Sequence, residues 1–213
     1  EYKYVYSGIE VAPTLAAVNM AEECCYEMYR GCYNLQSAQN AFSTTNGISD
    51  IRSLAKRCFY RMFYECKKLE TPPVLPEADV PLAEECYYQM FYECWADDYE
   101  RVEGEYRYVH HGLRSAPDIK ASVMAKNSCY QMFYGCGSKH SVSNVYEYAG
   151  LSTPPMILST EMAEQCCYQM FYGCKNLGSA ENVLPVDEHG NSTISILAKN
   201  CFYGMFQGCN NLS

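Results

Sequence analysis

The apolar and polar positions of the chain fall into a nonapeptide that occurs six times around a methionine: CCYEMYRGC at 24–32, CFYRMFYEC at 58–66, CYYQMFYEC at 86–94, SCYQMFYGC at 128–136, CCYQMFYGC at 166–174 and CFYGMFQGC at 201–209. The methionines, Met28, Met62, Met90, Met132, Met170 and Met205, are 34, 28, 42, 38 and 35 residues apart. Count positions from each methionine and turn about 100° per residue, as on an α-helix. The Cys at −4 (Ser128 in the fourth copy), the Met, the Cys at +4 and the usual Leu at +7 then share one stripe. Each box is therefore predicted to be a helix of about two turns, buried along that stripe and too short to persist without neighbours. Glycine at +3 in four copies (Gly31, Gly135, Gly173, Gly208) suits a helix end.

A Leu-Ala or Met-Ala pair precedes every box, and proline-bearing stretches such as Pro72-Pro73-Val74-Leu75-Pro76 and Thr153-Pro154-Pro155 lie further upstream. Proline excludes a helix interior and favours an extended path. One repeat reads as extended segment, turn and short helix, at a period that predicts a repeat array. The expected fold is an α/β repeat solenoid over 1–213, a leucine-rich-repeat superhelix of short strands and short helices. A longer period overlies the first: Glu1–Ile9 matches Glu105–Leu113 at an offset of 104, as Met28 matches Met132. The last copy stops mid-repeat, which reads as a slice of a longer array or as an end-to-end stacking unit.

Composition narrows the function classes. Sixteen basic against twenty-five acidic residues give a formal charge of −9, a poor match to a phosphate backbone, so no nucleic-acid partner is expected. No apolar run is long enough for a bilayer span, and no direct membrane insertion is expected. The 21 tyrosines concentrate in the boxes, at −2 in all six and at +2 as Tyr64, Tyr92, Tyr134 and Tyr172. On the helical reading these form an outward aromatic belt that either covers the frame or meets a partner. The 14 cysteines read as buried thiols: two in one box are eight residues apart, too far along a helix to bridge, although bridges between neighbouring copies stay open.

Longer segments interrupt the pattern at 39–53, 95–112, 137–150 and 181–195, and all four histidines lie in them (His110, His111, His140, His189). The acidic run Asp97, Asp98, Glu100, Glu103, Glu105 reads as a solvated charged loop, because it lacks the ligand spacing of a calcium loop. No C-x2-C pair, nucleophile elbow, phosphate loop or HExxH segment occurs, so no metal, no cofactor and no enzymatic activity are expected. The aromatic-rich insertion supplies the candidate contacts: Trp95, Tyr99, Tyr106, Tyr108, His110 and His111, beside the box tyrosines Tyr64, Tyr92, Tyr134 and Tyr172.

Cys-Tyr-Tyr-Gln-Met-Phe-Tyr-Glu-Cys at 86–94, Cys-Lys-Asn-Leu at 174–177 and the proline-rich stretches between boxes resemble the BspA-type leucine-rich repeats of bacterial and protist surface proteins. The resemblance implies a leucine-rich-repeat solenoid with a parallel sheet on one face, exported and engaged in adhesion to host or neighbouring cells. The expected function is an extracellular or cell-surface recognition module binding a protein or glycan on another cell through insertion loops and an aromatic surface. The alternative is a structural subunit that binds copies of itself head to tail in a filament or surface layer.

Overall fold

The computed structural model describes residues 8–102, 105–142, 145–181 and 183–213, without the side chains of 99–106 and 141–146. The matching segment Glu1–Ile9 therefore lies largely outside the described residues. Strands are short: β1 (Asn19–Met20), β2 (Thr44–Thr45), β3 (Ile48–Ser49), β4 (Ser53–Leu54), β5 (Trp95–Val102), β6 (Glu105–Gly112), β7 (Val123–Met124), β8 (Gly137–Val142), β9 (Val145–Gly150), β10 (Glu161–Met162) and β11 (Ile196–Leu197). They form separate small sheets: the parallel pair β1–β4, the parallel trio β11–β10–β7, and the antiparallel hairpins β2–β3, β5–β6 and β8–β9.

This overturns the expected α/β leucine-rich-repeat superhelix. No helix is present among the described residues, and no continuous parallel sheet runs along the repeats. The physical reason lies in the boxes. Their residues at −5, −1 and +3 take positive φ in all six copies, between 49° and 80°: Glu23, Glu27 and Gly31 in the first, Asn200, Gly204 and Gly208 in the last. A left-handed residue at every fourth position breaks an α-helix. Each box is instead a run of overlapping tight turns. In the first, the amides of Cys24, Tyr26, Met28, Arg30 and Cys32 donate to the carbonyls three residues back. The intervening amides of Glu23, Cys25, Glu27, Tyr29 and Gly31 donate to Lys56, Cys58, Tyr60, Met62 and Tyr64 of the second box. Half the amides thus close turns and half tie one box to the next.

The repeat of this backbone is four residues, two inward and two outward. Inward go −4 and −3, then 0 and +1, then +4, as in Cys58, Phe59, Met62, Phe63 and Cys66, all fully buried. Outward go −2 and −1, then +2 and +3. Ring columns follow the pile: Phe63, Phe91, Phe133 and Phe171 stack with centroids 5.4 to 5.6 Å apart, and Tyr60, Tyr88, Tyr130 and Tyr168 at 4.7 to 4.8 Å. Complete burial of one such phenylalanine stabilises by about 1.5–3 kcal/mol. Left-handed backbone costs about 1–3 kcal/mol at a residue with a Cβ, so burial must outweigh it. An amide ladder on the strained −1 positions adds support: Arg61 Nε donates to Gln89 Oε1 (2.7 Å), Gln89 Nε2 to Gln131 Oε1 (2.6 Å) and Gln131 Nε2 to Gln169 Oε1 (2.7 Å).

All fourteen cysteines are free thiols. Those at +4 have a specific task, since Cys66, Cys94, Cys136 and Cys174 donate S–H to the carbonyls of Tyr29, Phe63, Phe91 and Phe133 in the neighbouring box at 2.9 to 3.0 Å. A thiol there fills apolar space and caps a carbonyl at once.

The pile has a polarity. Among the described residues, the sixth-box backbone amides of Asn200, Phe202, Gly204, Phe206 and Gly208 meet no backbone acceptor, and the first-box carbonyls of Glu22, Cys24, Tyr26, Met28 and Arg30 meet no backbone donor. Met28 is correspondingly 44% exposed, whereas Met62, Met90, Met132 and Met170 are fully buried.

Candidate functional site

Two of the insertions meet. Segments 95–112 and 137–150 both leave the frame directly after the final cysteine of a box, Cys94 and Cys136, in adjacent copies. The segment read as a solvated acidic loop is in fact the β5–β6 hairpin, with Trp95 opposite Gly112, Asp97 opposite His110 and Asp98 opposite Val109. The second insertion is the β8–β9 hairpin, with Ser138 opposite Ala149 and His140 opposite Glu147. Glycine makes the hairpin bases possible. A Cβ on Gly112 would lie 2.3 Å from the Cys94 carbonyl oxygen, and one on Gly150 2.3 Å from the Gly137 Cα, at φ of 106° and 126°.

Strand alternation sends Trp95, Asp97, Tyr108 and His110 to the face toward the second hairpin, where Ser138 and His140 meet them. The Asp97 carboxylate sits at the centre. His110 Nδ1 is 2.6 Å from Oδ1, His140 Nε2 is 3.0 Å from Oδ2, and the Trp95 indole N–H donates to Oδ1 and to Ser138 Oγ, each at 3.2 Å. Burial alone would raise the Asp97 pKa, but hydrogen bonds from His110, His140 and Ser138 outweigh it and hold the group below the usual carboxylate range. The Tyr108 ring lies over His140 with centroids 4.2 Å apart. Asp97, His110 and His140 are also a possible metal-ligand set, their donor atoms all within 4.8 Å of one another.

The opposite face of the first hairpin docks on the frame. Asp98 Oδ1 accepts from the Tyr33 hydroxyl (3.0 Å), and its other oxygen lies 3.6 Å from Lys68 Nζ and 3.4 Å from His111 Nε2. His111 is therefore turned away from His110. Beside the hairpins runs an open groove of about 350 Å³, lined among others by Lys67, Trp95, Asp97, Tyr134, Tyr172 and Lys175.

The candidate contacts thus divide into three groups. Trp95, Tyr108 and His110 converge on the face between the hairpins, but Trp95 is buried and anchors the hairpin base. The side chains of Tyr99 and Tyr106 lie outside the described residues, although their backbones pair with Tyr108 and Arg101. Tyr64, Tyr92, Tyr134 and Tyr172 form one column, rings 4.7 Å apart, half-buried, and only Tyr134 and Tyr172 reach the groove. Burial, then the neighbouring Glu93 carboxylate, pushes the Tyr92 phenol up to about 12.

Sequence reasoning missed Asp97, His140, Lys67 and Lys175. The usable signal was the equal attachment point of the two insertions, which places them side by side once the boxes are piled in order. Comparison with family models, with curated proteins and with solved structures yields no match.

Proposed function

We propose that this chain is an extracellular or cell-surface recognition module, and that it takes a glycan in the groove beside the paired hairpins. One observation carries the reading: the two insertions meet through Asp97 and frame an open groove between them and the boxes. Its volume suits a small ligand, whereas a stable protein interface needs about 800 Å² per partner. Two tyrosines, an indole edge, two carboxylates (Glu93 and Asp97) and two lysines supply the mixture of flat apolar surface and hydrogen-bonding groups that sugar rings need. The resemblance of the boxes to BspA-type surface proteins supports the cell-surface setting. A glycan array probed with the whole chain, followed by titration of the best binder, tests it. Tyr172→Ala and Lys175→Ala are each expected to weaken binding at least about tenfold, the loss of one good contact. Binding that leaves both variants unaffected, or a chain that takes only protein partners, would refute it.

A second reading is favoured by the polarity of the pile. Among the described residues, five unpartnered backbone amides at one end and five carbonyls at the other are complementary, so that the last box of one copy would fit the first box of another. Head-to-tail assembly predicts a sedimentation coefficient that climbs with concentration. Met28→Asp, on the carbonyl-bearing end, is expected to stop the climb. A wild-type chain that stays monomeric at every concentration rules the assembly out.

A further inference from the structure

We propose that Asp97, His110 and His140 bind a divalent cation of the zinc class, which pins the two hairpins together. The donor types select the ion. Two imidazole nitrogens and a carboxylate oxygen suit Zn²⁺ and its neighbours, while calcium and magnesium prefer oxygen alone. Geometry agrees with the chemistry. At Zn–N and Zn–O lengths near 2.0–2.1 Å, tetrahedral donors lie about 3.3 Å apart. His110 Nδ1 lies 2.6 Å from Asp97 Oδ1 and His140 Nε2 lies 3.0 Å from the other oxygen, Oδ2, and with one carboxylate oxygen as ligand the three donor atoms all lie within 4.8 Å of one another. Only small side-chain adjustments separate this arrangement from a coordinating one.

Two of the ligands are set by the sheet itself, because Asp97 and His110 are directly opposed across β5–β6. The third comes from a strand 43 residues further along the chain. Outer contacts hold the set: the Trp95 indole N–H on Asp97 Oδ1, and the Tyr108 ring against His140. Such partners fix ligand orientation in metal sites. Three protein ligands leave a fourth position for water or an incoming group, and Asp97 borders the groove. Without the cation the carboxylate accepts from both imidazoles. With it, each ring takes its other tautomer, the proton passing to the far nitrogen, so that the lone pair of the near nitrogen faces the ion. This inference stands apart from the glycan reading and succeeds or fails without it.

The test is titration of the chelator-treated full chain with ZnCl2 in calorimetry, and with Co²⁺ in the visible. One equivalent is expected, with cobalt d–d bands and no thiolate charge-transfer band in the near ultraviolet. That last point separates this site from the fourteen thiols. His140→Gln keeps an amide donor for Asp97 but removes the imidazole, and is expected to weaken binding at least about tenfold with the fold intact by circular dichroism. Asp97→Asn should do the same, and His189→Ala should not. Absence of binding, thiolate bands, or unchanged affinity in His140→Gln would overturn the proposal.

Discussion

In reducing buffer the protein is expected to unfold near pH 10, well before its backbone chemistry is threatened. The cause is the thiols inside the pile. Burial pushes Cys58 and Cys136 up to about 12, and raises Cys66, Cys86, Cys94, Cys129 and Cys174 well above their ordinary value of 9.0. In the unfolded chain those thiols ionise from about pH 9, whereas in the folded chain they stay protonated, so the unfolded state binds fewer protons and gains as pH rises. The stabilisation is complete below pH 9 and is lost progressively up to the folded values. At pH 10 each of the seven costs on the order of 1 kcal/mol, so that together they reach the size of the whole stability of a domain. Circular dichroism against pH, approached from both directions, measures the midpoint. A chain still folded at equilibrium at pH 11.5 would show that the thiols are not the buried column described above.

Gly112→Ala should detach the first hairpin. Its new methyl would meet the Cys94 carbonyl oxygen at 2.3 Å and the Trp95 Cα at 2.8 Å, both backbone atoms, at a φ of 106° that L-residues rarely adopt. No side-chain movement relieves that overlap. We expect a local cost of about 3 kcal/mol or more, borne by the hairpin base. Because Trp95, Asp97 and His110 all sit on this hairpin, cation and glycan binding should both fall, while the boxes keep their circular dichroism. Hydrogen exchange should rise across 95–112 and stay slow in Phe59, Met62 and Met90. Gly8→Ala, with nothing within 4 Å of its Cβ, is the control expected to change neither. Equal exchange in Gly112→Ala and wild type would contradict the tight base.

Much of this could be read from residues alone, and the failures have a definite origin. Over nine residues, helical turns of 3.6 and turns of four place −4, 0 and +4 on the same side, so the inward sulfur atoms were legible and the backbone was not. The internal evidence for four was present: aromatic or cysteine at −3 and aromatic at +1, tyrosine at −2 and +2, cysteine at −4 and +4. What hid it was residue type, because Glu, Arg and Gln are not residues from which left-handed backbone is inferred. Trp95-Ala-Asp-Asp-Tyr-Glu-Arg-Val and Glu105-Tyr-Arg-Tyr-Val-His-His-Gly pair as the two strands of a hairpin, and the acidity of the first masked it. His140 had no local signal, since its partner is 43 residues away.

The four-residue rhythm also restricts how such a chain can change in length. One residue removed inside a box sets everything after it back by a quarter of the cycle, sending tyrosine into the interior and cysteine to the surface. Only a whole cycle, four residues, preserves the sidedness. Drift in length is therefore confined to the connecting segments, where the intervals between methionines already range from 28 to 42 residues while every box keeps nine. New surface can be grafted there without renegotiating the interior.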